Sequence, residues 1–143
     1  MLGVRTFDFR NPTIMNKYIA AAGTLAFIVG LVHSLFGERL IFRRMRIGTI
    51  VPTNGGKVIG EGHVRIIWAS WHIVTLFGWL IAATLIWLAA SPDRMQNQGF
   101  LLSGIASTML GSALLVLVAT KARHPGWGGL LGVAALVWLG KGA

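Results

Sequence analysis

The sequence contains no cysteine and only four acidic residues among 143. The missing cysteine excludes disulfides, thiolate metal sites and cysteine nucleophiles. The scarcity of acid leaves no paired intramembrane carboxylates for acid–base chemistry. There is no HExxH element and no Ser–His–Asp order. A catalytic reading is therefore weakly supported, and a non-enzyme is the favoured expectation. Charged residues of either sign are also few, at 12% of the chain.

What the sequence does have is apolar length. Hydrophobic residues make up 55% of the chain, and the mean hydropathy is +0.69. That places it in the membrane class. Four apolar runs stand out, at about 18–37, 66–90, 100–122 and 125–140. A helix needs about 20 such residues to cross the hydrocarbon. The first three runs qualify. The fourth, opened by Pro125, reaches roughly 25 Å at about 1.5 Å per residue and spans only with local thinning. No small-x-small cleavage site follows the first run, so it reads as a retained span. The expected fold is a single all-α domain, a four-helix transmembrane bundle with one longer connection between helices 1 and 2.

The net charge is +9. No basic helix or aromatic platform accompanies it, so nucleic acid is not the expected partner. The bases flank apolar runs, where lipid contact and orientation account for them. Four spans put both termini on one side with Arg5, Arg10, Lys17, Arg94 and Lys141. The other side holds Arg39, Arg43, Arg44, Arg46, Lys57, Arg65, Lys121 and Arg123. The positive-inside rule then makes the long connection cytoplasmic and the termini periplasmic.

Within that connection, RLIFRRMR at 39–46 sets Leu40, Ile41 and Met45 against four arginines, as an interfacial elbow would. Asn54–Gly55 between β-branched residues suggests a small hairpin. The GGK at 55–57 has the wrong spacing for a phosphate loop.

Lipid gives helices little hydrophobic reason to associate, so small residues must permit close contact. Gly23, Gly30 and Gly37 recur every seven residues. Ser103, Ser107 and Gly111 recur every four, as do Gly104, Thr108 and Ser112. Gly128 and Gly132 supply a further pair. All are expected packing seams. Trp68, Trp71, Trp127, Trp87 and Trp138 fit interface belts, whereas Trp79 falls near mid-span.

The stretch RIIWASWHIVTLFGW, at 65–79, carries His72 inside a span. An ionisable residue there is costly and points to function by default. His33 lies three residues before Phe36, at the end of the preceding span, and five before Glu38. On antiparallel neighbours, His33 and His72 sit at matched depth, with His63 and His124 in connections on the same side. The candidate polar cluster is His33, His72, Glu38, Arg65 and His124. The two rings are expected to face one another, and Glu38 to pair with Arg65 or the adjacent Arg39. Ser34, Thr75 and Thr108 could satisfy neutral imidazoles. The residues leave four readings open. They are a structural His–Glu–Arg network, a bis-histidine b-type haem on His33 and His72, a metal site from His33, Glu38, His72 and His124, and a proton or small-solute path. The expected function is that of a non-catalytic accessory subunit or structural bundle. Its partners are the bilayer and, beyond it, other membrane subunits or a second copy.

HSLFGERL at 33–40 followed by RIIWASWHIVT at 65–75 resembles a loose group of small bacterial inner-membrane proteins. In these an HSxxGE-like element closes the first of four spans and an RxxWxxWHxxT-like element opens the second. The resemblance covers two spans and transfers no activity. It implies a multi-pass protein of the bacterial inner membrane with His33, Glu38, Arg65 and His72 as its characteristic polar set.

Overall fold

The structure is a computed structural model that describes residues 15–90, 98–119 and 121–142. The N-terminal Arg5 and Arg10 and the polar turn with Arg94 lie outside these residues. Among the described residues there are four α-helices. They are α1 (Lys17–Phe36), α2 (Glu61–Ala89), α3 (Gly99–Ala119) and α4 (Gly126–Lys141). The first three are long and apolar enough to cross a membrane; α4 has only 16 residues. Large apolar side chains such as Phe27, Leu31, Leu76, Leu80, Leu115 and Val118 point outward from α1, α2 and α3. Helices apolar on all sides need a lipid or protein surround, and in lipid their backbone must be satisfied internally.

Helix α1 packs against both α2 and α4, and α4 packs against α3. The seams follow the glycines. A Cβ on Gly23 would lie 2.7 Å from the Ile86 side chain and 2.9 Å from the Ala82 carbonyl. One on Gly30 would lie 2.9 Å from Trp79 Nε1, and one on Gly37 would collide with the Trp71 indole. The seven-residue glycine repeat is thus the groove that receives α2. Gly129, Gly132 and Gly140 of α4 meet Val29, Leu25 and Ile19 of α1. These contacts run antiparallel, so His33 and the start of α4 fall at one end.

Two expected seams differ. Gly128 meets nothing within 4 Å; its neighbour Gly129 makes the contact. On α3, Gly104 and Gly111 also meet nothing, and Ser107 and Thr108 are exposed. Among the described residues that stripe is not used, because α3 turns Leu102, Ile105, Ala106 and Met109 to the core instead.

The core sits at one end. It joins Ile19, Ala22 and Ala26 to Ala82, Leu85, Leu88 and Ala89, with Leu102, Ile105, Ala106, Met109, Val133, Ala134 and Val137. Asn16 closes this end. Its Oδ1 accepts from the Ile19 amide at 3.1 Å as an N-cap. Its Nδ2 donates to the Gly140 carbonyl at 2.9 Å, and its own amide donates to the Ala89 carbonyl at 3.0 Å. Lys141 Nζ reaches Ser103 Oγ at 2.6 Å.

At the other end α1 does not stop. It widens into a π turn, Gly37–Ile41, and tightens into a 3-10 turn, Phe42–Met45. The chain then folds back, and the Met45 carbonyl accepts from the amides of Thr53 (3.0 Å) and Asn54 (2.9 Å). The expected hairpin is reduced to a single antiparallel bridge, Gly55 to Ile59, with Asn54 Oδ1 accepting from the Gly56 amide. Among the described residues no strand forms.

Candidate functional site

The cluster grows from the end of α1. Ser34 and Glu38 stand one turn apart there, and the π turn begins between them. A π turn inserts one extra residue, re-aims the side chains after it, and recurs at functional positions. Across the seam, His72 of α2 reaches both. Ser34 Oγ is 2.8 Å from His72 Nδ1, and His72 Nε2 is 3.6 Å from Glu38 Oε2. The first is a hydrogen bond. The second is an electrostatic contact, too long for one.

The Glu38 carboxylate has two further partners. Arg46 Nη1 donates to Oε1, and Trp68 Nε1 donates to Oε2 at 3.3 Å. The backward fold of the connection brings Arg46 here, with its Nε on the Ile50 carbonyl. Arg65 is elsewhere. It forms an exposed pair with Glu61, one turn earlier on α2, at 2.6 Å. The expected Glu38–Arg65 pair is therefore corrected to Glu38–Arg46. Arg65 opens α2 at suitable depth but finds Glu61 at the i−4 position on its own helix, a local contact that needs no chain rearrangement.

His33 follows a different path from His72. Its ring lies flat on Trp71, with centroids 4.2 Å apart and planes 6° from parallel. Trp71 Nε1 donates to the His33 carbonyl at 3.1 Å. The indole occupies the space that Gly37 leaves. Phe42, fully buried, seals the pair edge-on at 5.7 Å from Trp71 and reaches toward His72 at 6.2 Å. So the two imidazoles engage different groups, His33 on Trp71 and His72 on Ser34 and Glu38. His33 Nε2 is shielded from solvent and has no hydrogen-bond partner. Beside this ring a shallow apolar groove runs along Ile66, Ile67, Ser70 and Val74.

His124 stands at the start of α4. Its Nδ1 accepts from the Gly126 amide at 3.0 Å and so caps the start of α4. Among the described residues no group of three or more His, Asp or Glu side chains could hold a metal ion, so His33, Glu38, His72 and His124 do not form one ligand set.

The residue that sequence reasoning misplaced is Trp71. It reads as an interface-belt tryptophan yet is the wedge of the α1–α2 seam. A signal was present, since Trp71, Thr75 and Trp79 recur every four residues and meet glycines recurring every seven. Arg46 carried no comparable signal, because its position depends on the fold of the connection. Comparison with family models, with curated proteins and with solved structures gives no match to this chain.

Proposed function

We propose that this chain is a non-catalytic accessory subunit of the bacterial inner membrane. Its polar cluster braces the exit of α1 from the bilayer, with the arginine-rich connection cytoplasmic and both termini periplasmic. The observation that carries the reading is His72. Its Nδ1 is hydrogen-bonded to Ser34 Oγ, its Nε2 faces the Glu38 carboxylate at 3.6 Å, and that carboxylate is engaged in turn by Arg46 and Trp68. The polar groups of Ser34, Glu38, Arg46 and Trp68 are thus directed at His72 and at one another, as in a brace across the seam. The face offered to a partner is the α3 stripe of Gly104, Ser107, Thr108 and Gly111, which the described residues leave uncovered. Small residues of this kind let a second helix approach closely.

The test separates folding from assembly. Gly104→Leu and Gly111→Leu have open space around them, so the purified chain keeps its thermal stability. The same variants shift the protein, in membranes solubilised with mild detergent, from a larger complex to the lone chain on native gels. A wild-type protein that already migrates as a lone chain contradicts the accessory reading.

One observation favours a second reading, the buried and unpartnered Nε2 of His33. A ligand there, haem included, would supply the missing partner. Against bis-histidine ligation stands the engagement of His72. Absorption spectra of the purified protein, oxidised and dithionite-reduced, with metal analysis on the same sample, decide the matter. The brace reading expects no Soret band. A stoichiometric haem signal abolished by His33→Ala and His72→Ala would replace it.

A further inference from the structure

The connection between α1 and α2 carries charge that the described chain does not balance. With the start of α2 it bears six bases, Arg39, Arg43, Arg44, Arg46, Lys57 and Arg65, against Glu38 and Glu61. Arg46 takes the first carboxylate and Arg65 the second. Arg39, Arg43 and Arg44 are exposed, and among the described residues none has a carboxylate within ion-pair reach. All three leave the π and 3-10 turns within six residues.

Large apolar side chains are interleaved with them. Leu40 is 61% exposed, Ile47 66% and Ile50 84%. A segment projecting into water would hold such side chains there at a cost of about 25 cal/mol for each Å² of apolar surface. The segment is not a loose tail. Phe42 and Pro52 are buried, Arg46 grips the Ile50 carbonyl, and the Met45 carbonyl accepts two amides from across the fold. The arginines are thus held in place where the apolar span of α1 gives way to polar chain, the depth of lipid headgroups.

We propose that residues 39–50 form a binding surface for anionic phospholipid, with headgroup phosphates on Arg39, Arg43 and Arg44 and with Ile47 and Ile50 among the upper acyl chains. Guanidinium matches phosphate in geometry as well as charge. A zwitterionic headgroup brings its own cation and leaves the arginine excess uncompensated. A soluble polyanion satisfies the arginines but not the isoleucines. The inference rests on membrane embedding and not on the accessory-subunit reading, so either can fail alone.

The experiment uses the full chain in detergent, titrated with dioleoyl phosphatidylglycerol or dioleoyl phosphatidylcholine, with bound lipid read by native mass spectrometry and stability by thermal unfolding. Wild type is expected to retain phosphatidylglycerol in preference to phosphatidylcholine and to be stabilised by it, less so at high salt. Each arginine near a charged surface contributes about fivefold in affinity, so the triple variant Arg39→Gln, Arg43→Gln, Arg44→Gln is expected to lose of order 100-fold. Triple lysine replacement keeps most of the preference. Ile50→Ser, with all arginines intact, weakens binding by a smaller factor. Arg65→Gln, whose guanidinium is already on Glu61, leaves it unchanged. Equal retention of the two lipids by wild type overturns the proposal, as does a triple glutamine variant that binds phosphatidylglycerol like wild type. Inorganic phosphate displacing the lipid at equal concentration would overturn it too, since that would make the isoleucines irrelevant.

Discussion

The two ends of this molecule are held together in different ways. At the Asn16 end four helices converge on an aliphatic core in which Ile19, Leu85, Leu88, Val133 and Val137 are fully buried. Glycine meets backbone there, as Gly23 meets the Ala82 carbonyl and the Ile86 amide. At the histidine end the fully buried side chains are fewer, and α1 is joined to α2 by aromatic stacking and polar contacts around Trp71, His72 and Glu38. The first end is closed by close packing, the second by a brace. Close packing is unforgiving of added volume. The braced end is tight too at Gly37, where a Cβ would collide with the Trp71 indole, and it is in addition sensitive to the loss of single polar atoms. In lipid this distinction is sharper than in water, because apolar burial between helices gives little and contact geometry decides.

The largest effect is expected from added volume at the closed end. Gly23→Ala places a methyl against backbone that cannot move aside, and thermal unfolding in detergent should show a loss of roughly 1–3 kcal/mol. Gly30→Ala meets side chains only, the edge of the Trp79 indole and the Thr75 methyl, and the indole can shift by loosening its 3.3 Å bond to the Phe27 carbonyl. Its cost should be clearly smaller, partly offset by the better helix propensity of alanine. Equal losses would erase the contrast between a glycine that meets backbone and one that meets only side chains.

Next comes Asn16. Asn16→Ala removes the α1 cap and the bond to Gly140 together, and should cost about 1–2 kcal/mol. Asn16→Asp keeps the capping oxygen and loses only the Nδ2 donor, so it should recover part of that. If Asp is no better than Ala, the cap is not what Asn16 contributes.

The smallest effects lie among the arginines. Arg46→Ala removes the cation from the partly shielded Glu38 and should lower stability measurably. Arg65→Ala breaks an exposed i,i+4 pair worth about 0.3–0.5 kcal/mol at most. A reversal of that order, read from the same melting curves, would restore Arg65 as the partner of Glu38.

The sequence carried the fold in its periods. Apolar length placed the spans, and the heptad of Gly23, Gly30 and Gly37 marked the seam that α2 fills. It also brought Ser34, Glu38 and His72 to one level, because helical rise and antiparallel order suffice for that. Periodicity was silent on three things. The π turn at Gly37–Ile41 changes the direction of every later side chain without any repeat to announce it. The choice of Arg46 over Arg65 follows from the backward fold of a connection whose contacts are not periodic. The glycines and hydroxyls of α3 have the spacing of a seam, but spacing does not say whether the second helix belongs to the same chain.

The central claim is that His72 is a brace, coupled to Ser34 across the α1–α2 seam. A double-mutant cycle on thermal stability tests it most directly, with Ser34→Ala, His72→Ala and the double variant in one detergent. The account predicts that the two losses overlap, with a coupling of about 0.6 kcal/mol and not more than about 1.7, the range measured for interhelical hydrogen bonds in membranes. Strictly additive losses, with no coupling, would contradict it.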